Sequence, residues 1–291
     1  MAAPSVYTYL LLFCSTTMLL LLCSPFACAA GLSLDSVRDF LTREEDTIVF
    51  SLIERAKHPL NTPAYYYDDP AACFGTADRH RNVSFAEIFV RESEAVQAKA
   101  GRYESQQEIP FFPSGAPFTL APPYNFTTDL HPAAASINVN DAIWNIYFNQ
   151  LLRLLAKEGD DGDYAATAAS DLACLQALSR RINYGRYVAE VKFRGEQQTY
   201  TALIRSKDKD ALTKLLTFEA QEDVVKRRAE KKAKVFGQDV TLDGPTTETS
   251  GKNSSQSSFK VAPSVVYKLY GQWVIPLTKQ VEIEYLLHRL D

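Results

Sequence analysis

Apolar residues recur at helical spacing along nearly the whole chain, and no run alternates with the period of two that marks a strand. Leu34, Val37, Leu41, Ile48, Leu52 and Ile53 predict a first helix, capped by Ser33 and ended near His58-Pro59. Residues 59–82 read as a connecting loop. A second helix starts at Ser84, carries Phe85, Ile88, Phe89 and Val96, and runs to about Lys99. Residues 104–137, rich in proline and aromatics, predict an irregular packed loop. Asn140 caps a third helix (Ile143, Trp144, Tyr147, Phe148, Leu151, Leu152, Leu155), and Gly159-Asp160-Asp161-Gly162-Asp163 ends it. A long helical segment over 164–194 follows, then a short helix at 198–206. Asp208 caps a helix over 209–236 that stops at Gly237, and a final helix spans Pro263 to Leu290. Between the last two, the polar run from 237 to 260 predicts a mobile loop. The expected fold is all-α, a single helical bundle over residues 32–291.

The first thirty residues stand apart. Leu10 to Leu22 is apolar except for Ser15-Thr16-Thr17, and is followed by Pro25 and small residues at Ala27 and Ala29. That pattern predicts a signal peptide over residues 1–29, although Met1 to Tyr9 holds no Lys or Arg. The apolar run is too short for a membrane span, which needs about 20 residues. Three sequons, at Asn82, Asn125 and Asn253, are compatible with the secretory pathway.

Composition removes several classes of function. The 291 residues are 46% hydrophobic and 23% charged, with a formal net charge of −4. That mild acidity argues against nucleic-acid binding. Cys14, Cys23 and Cys28 lie in the leader, leaving only Cys73 and Cys174, which form neither a metal-ligand spacing nor a disulfide framework. The aspartates at 160, 161 and 163 lack the spacing and closing Glu of a calcium loop, so a solvated turn is expected. Lys226-Arg227-Arg228 and Lys231-Lys232 alternate with Glu222, Asp223 and Glu230, the pattern of a solvated helix face.

One stretch concentrates chemistry. Arg181 and Lys192 are eleven residues apart, which returns them to within about 20° on a helix. Gly185, Val188 and Ala189 lie between them, so two cations converge over a small, apolar face with a glycine leaving room. This describes a pocket for a compact, multiply anionic ligand. Arg38 stands among apolar positions of the first helix, Glu222 on the helix after Asp208, and Thr278 and Glu282 one turn apart on the last.

These residues sit in blocks that resemble chorismate mutase of the all-helical eukaryotic type found in fungi and plants. The blocks are Arg38 to Phe50 with Ile53-Glu54-Arg55, Tyr103-Glu104-Ser105 with Pro110-Phe111-Phe112-Pro113, Cys174 to Phe193, and Ile275 to Leu287. The resemblance covers roughly residues 32–291. It implies an isomerase that converts chorismate to prephenate, acting as a homodimer without cofactor or metal. Arg38 and Arg181, with Thr278, match the positions that hold the two substrate carboxylates. Lys192 matches the cation beside the ether oxygen, Glu222 the acceptor for the ring hydroxyl, and Glu282 a protonated carboxyl that donates to the ether oxygen.

The chain departs from the family pattern in places. Phe218 stands where the fungal enzyme has a polar residue. Regulated members have an arginine pair before the aromatic-Glu-Ser motif, where this chain has Gly101-Arg102. They also have Gly-Ser after the acidic turn, where this chain has Ala165-Ala166. The resemblance therefore points to the unregulated plant isoenzymes outside plastids, with a weak or absent response to tryptophan and tyrosine. Those isoenzymes make the cytoplasm the alternative to the secretory pathway. A secreted, catalytically silent binding protein on the same fold is the alternative function. A helical prenyl-diphosphate enzyme is excluded, since no facing aspartate-rich motifs are present.

Overall fold

A computed structural model describes residues 32–66, 83–238 (apart from 114, 116–118, 123, 125, 127 and 128) and 259–291. The expected leader, all three sequon asparagines, Cys73 and most of the 237–260 loop lie outside the described residues. Among the described residues eleven α-helices follow one another: α1 (Leu34–Arg55), α2 (Phe85–Lys99), α3 (Asn140–Ile146), α4 (Leu152–Leu155), α5 (Tyr164–Asn183), α6 (Gly185–Gly195), α7 (Gln197–Ser206), α8 (Lys209–Leu216), α9 (Glu219–Phe236), α10 (Pro263–Leu269) and α11 (Ile275–Leu287). No strand occurs among the described residues. None of these helices is long and apolar enough to cross a membrane.

The core is built around α5, which packs along α1 and is buried on most of its sides. Ile48, Val49 and Leu52 of α1 meet Cys174, Leu175 and Leu178 of α5, with Ile143 of α3 and Val266 and Leu269 of α10 completing the cluster. Burying each such side chain contributes about 1.5–3 kcal/mol. Cys174 is a free, buried thiol in this core, and burial pushes its pKa up to about 12.

Two polar clusters fix the elements around α5. Fully buried Arg55 and Asp171 pair at 2.6 Å, and the hydroxyls of Tyr147 and Tyr65 each donate to Asp171 at 2.6 Å. Arg55 also donates to the carbonyls of His58 and Pro59, so one side chain closes the C-terminus of α1 and ties it to α5. Asn140 forms the second cluster. Its amide donates to the Ile109 and Pro110 carbonyls, while its oxygen accepts from Ser179 and Asn183. It is the first residue of α3 rather than its cap, contrary to the expectation. Val139 takes the N-cap position.

Ser84 caps α2 as expected, accepting from the Glu87 amide at 3.2 Å, and Asp163 and Asp208 cap α5 and α8 in the same way. Four expected continuous helices are interrupted. The one expected to start at Asn140 contains a π-helical turn at Tyr147–Leu151 between α3 and α4. The segment 164–194 turns at Tyr184, which separates α5 from α6. The helix expected over 209–236 breaks at Thr217, which is extended, and Phe218, which is non-helical at φ −126°, ψ 84°. The final segment contains a π-helical turn at Tyr270–Val274 between α10 and α11. Pro276 explains the last of these: within an α-helix its ring would meet the carbonyl four residues back, and the wider π turn relieves that clash.

Candidate active site

Helices α1, α5, α6, α9 and α11 line two adjoining recesses of about 690 and 150 Å3 that share Leu41, Arg181, Val188, Lys192, Phe218, Gln221 and Val225. All six residues singled out from the sequence are there. Arg38 lines the larger recess, Glu222, Thr278 and Glu282 the smaller, and Arg181 and Lys192 both.

Close approach of two helices makes this possible. A Cβ at Gly185 would lie 2.8 Å from the Thr278 carbonyl oxygen and 3.2 Å from its Cγ2. The room left by the glycine is therefore taken by the backbone of α11, not by a ligand, which corrects the expectation. Seating α11 there brings Thr278 beside Arg181. Arg181 is 5% exposed, and its Nη1 donates to Thr278 Oγ1 at 3.4 Å. The Thr278 hydroxyl donates in turn to the Val274 carbonyl at 2.7 Å. Arg181 Nε is buried with no hydrogen-bond partner among the described residues.

One turn further along α11, Glu282 Oε2 accepts from Lys192 Nζ at 3.0 Å. Burial raises the Glu282 pKa above the ordinary carboxyl value, and Lys192, the leading opposing influence, lowers it. Glu222 Oε1 sits 2.6 Å from Lys279 Nζ. Arg38 differs from the others. Its side chain is 62% exposed, and its nearest ionic partner is Asp35 of its own helix at 3.6 Å. It is a guanidinium on the rim, on the same side of the molecule as Arg181. Arg38, Arg181 and Lys192 thus surround an apolar cleft, with a carboxyl of raised pKa at its inner end.

Sequence reasoning missed several contributors, among them Lys279, which lines the smaller recess and pairs with Glu222. Gln221 lines both recesses beside Glu222, and Tyr200 of α7 lines the larger. Arg228 lines it too, held by fully buried Glu45 of α1 at 2.6 and 2.7 Å. Lys232 joins the same group, 3.2 Å from Glu45 and 2.7 Å from Asp46. The basic run of α9 is therefore not only a solvated face. Part of it clamps α9 to α1, and the interleaved charges gave no sign of which positions turn inward.

The positions read as a degenerate effector site lie elsewhere. Gly101 adopts φ +85°, and a Cβ there would meet Ala121 Cβ at 2.9 Å. Arg102 donates to Glu108 at 2.8 Å, Gln97 at 3.0 Å and Gln176 at 2.8 Å. Ala165 and Ala166 form the first turn of α5, where the Ala166 amide donates to Asp163. No hydrogen bond or ion pair joins these two pairs among the described residues. No cluster of His, Cys, Asp and Glu among those residues is suited to a metal ion.

No family model matches the chain. Its relatives are nonetheless clear. It is 53% identical over 268 residues to chorismate mutase 2 of Arabidopsis thaliana, covering 92% of this chain and 97% of that protein. It is 54% identical over 266 residues to the cytosolic chorismate mutase 2 of Zea mays, covering 90% and 99%. In three dimensions it resembles the chorismate mutase of Candida albicans solved in complex with L-Trp, with a TM-score of 0.78, 34% identity, and 89% and 92% of the two chains covered.

Proposed function

The chain belongs to the chorismate mutase family of the all-helical eukaryotic type, and from that premise we propose that its cleft rearranges chorismate to prephenate. The observation that carries this reading is the convergence of Arg181, Lys192, Thr278 and Glu282 on one recess from three helices.

The reaction is a [3,3] rearrangement. It needs neither nucleophile nor external base, so the protein has to supply orientation and electrostatic stabilisation. Chorismate carries two carboxylates. Arg181, largely desolvated and braced by Thr278, takes one in a bidentate fork. Arg38, on the rim with a weak intrahelical partner, swings in to take the other. Glu222 accepts from the ring hydroxyl. As the C–O bond breaks, negative charge grows on the ether oxygen, where Lys192 donates. Glu282 donates to the same oxygen in its protonated form, which its burial favours.

Prephenate formation by the purified chain, followed by loss of chorismate absorbance, tests the reading. Wild-type turnover with at least about 100-fold loss in Arg181→Ala is expected, matching the removal of one fixed charge-stabilising donor. Binding of chorismate without turnover would instead favour the silent binding protein.

Three finer readings go with this. The Candida albicans structure holds L-Trp, but the positive φ and crowded Cβ at Gly101 bar an arginine here, and Arg102 is committed to Glu108. We therefore expect little response of the rate to tryptophan or tyrosine. Exposed Phe85 and Val96 on α2 offer apolar surface to a second copy, which supports a homodimer. The cytosolic relative of Zea mays supports the cytoplasm over the secretory pathway.

A further inference from the structure

Phe218 is the one large aromatic shared by both recesses, and none of the roles above uses it. Exposure alone identifies nothing, since Phe50, Tyr66 and Val96 are also exposed on this surface. Phe218 differs in where its exposure falls. The residue is 60% exposed and lines both recesses, and its ring centroid lies 5.9 Å from Lys192 Nζ.

The backbone beneath it is pinned at both ends. Leu216, two residues earlier, is buried, and the Thr217 hydroxyl donates to the Thr213 carbonyl at 2.7 Å. On the other side the Phe218 carbonyl accepts from the Glu222 amide at 3.0 Å. Thr217 and Phe218 form a two-residue non-helical link between α8 and α9, with φ −93° and −126°. The ring therefore stands on a fixed base while its χ angles remain free to turn over the opening.

We propose that Phe218 is a substrate-covering, specificity-determining residue whose ring closes over the carbocycle of the bound substrate and excludes water from the Lys192–Glu282 pair. This rests on the chorismate reading above and deepens it. An apolar cover suits a ligand whose charges lie at its periphery, where Arg38 and Arg181 meet them, and whose ring presents an apolar face. The same ring offers its π face to Lys192, so the cation keeps a partner when water leaves.

Steady-state assays of prephenate formation on the wild-type chain, Phe218→Ala and Phe218→Leu test this. Phe218→Ala is expected to lower kcat/KM about 10-fold with kcat itself falling about 3-fold, while Phe218→Leu stays within about 3-fold of wild type. Melting temperatures should not change, because the ring is mostly solvated in the free protein. An Ala variant within about twofold of an active wild type overturns this inference alone. So does a Leu variant that falls as far as Ala, because the cover would then not be apolar area. A wild-type chain that forms no prephenate overturns the function and this inference together.

Discussion

Replacing Gly185 with alanine tests how the site is assembled, because two effects of opposite sign compete there. Alanine favours a helix over glycine by up to about 1 kcal/mol. Against that, the new methyl would sit 2.8 Å from the Thr278 carbonyl oxygen, where ordinary contact begins at 3.4 Å. The obstacle is backbone and cannot rotate away. Thr278 Cγ2 at 3.2 Å and Val281 Cγ1 at 3.3 Å block the neighbouring directions. Helices α6 and α11 must part by roughly 0.6 Å, an overpacking that costs about 1–3 kcal/mol. The net loss of stability is therefore about 0–2 kcal/mol. The effect on catalysis should be larger than that suggests, since the displacement separates Thr278 from Arg181 and Glu282 from Lys192. A misplacement of 1 Å can cost about 100-fold, so a kcat about 10-fold below wild type is expected. Thermal melting and prephenate formation measured on the same preparation decide the matter. A higher melting temperature with unchanged kcat would refute the reasoning, because it would mean that the two helices do not rely on this close approach.

The charged groups give further expectations. Glu282 has a raised pKa, so its donating, protonated form is lost as pH rises through that value; activity should decline on the alkaline side, and Glu282→Gln, which cannot ionise, should flatten that limb. A pH–rate profile unchanged by the substitution removes Glu282 from the role. Lys192→Ala should lower kcat by about 100-fold or more, measured at saturating chorismate. In the core, Asp171→Ala leaves Arg55 buried and unpaired and strips both tyrosine hydroxyls of their acceptor; a loss of about 3–5 kcal/mol is expected in urea unfolding, and an unmoved midpoint would contradict it.

Helix positions were legible wherever periodicity and a cap agreed. Ser84 and Asp208 each sit one residue before a helix that the apolar spacing also predicts. The catalytic candidates were legible for a different reason. Arg181, Lys192, Thr278 and Glu282 are charged or polar residues on faces otherwise fit for burial, and their blocks match a family. What stayed hidden depends on a third element that one-dimensional spacing does not reveal. Asn140 has the chemistry of a cap, yet its side chain is claimed by Ser179, Asn183 and two carbonyls of the preceding loop. Arg228 and Lys232 read as solvated charges among five, and only the buried carboxylate of Glu45 on α1 separates them from their neighbours. The break at Thr217–Phe218 left no glycine or proline to announce it. Gly185 was noticed, but the spacing could not say whether helix or ligand would fill the space.

The π turn at Tyr270–Val274 and Pro276 form a matched pair. Such a turn amounts to one extra residue spliced into an α-helix, with the rods on either side keeping their original orientation. Deleting a single residue there would leave Thr278 and Glu282 facing as they do now, were it not for the proline ring, which would then strike the carbonyl behind it and bend the rod. Gene lineages that lose the insertion should therefore lose the proline with it. A homologue that has shed the insertion and kept the proline should show a compensating change nearby or a damaged catalyst.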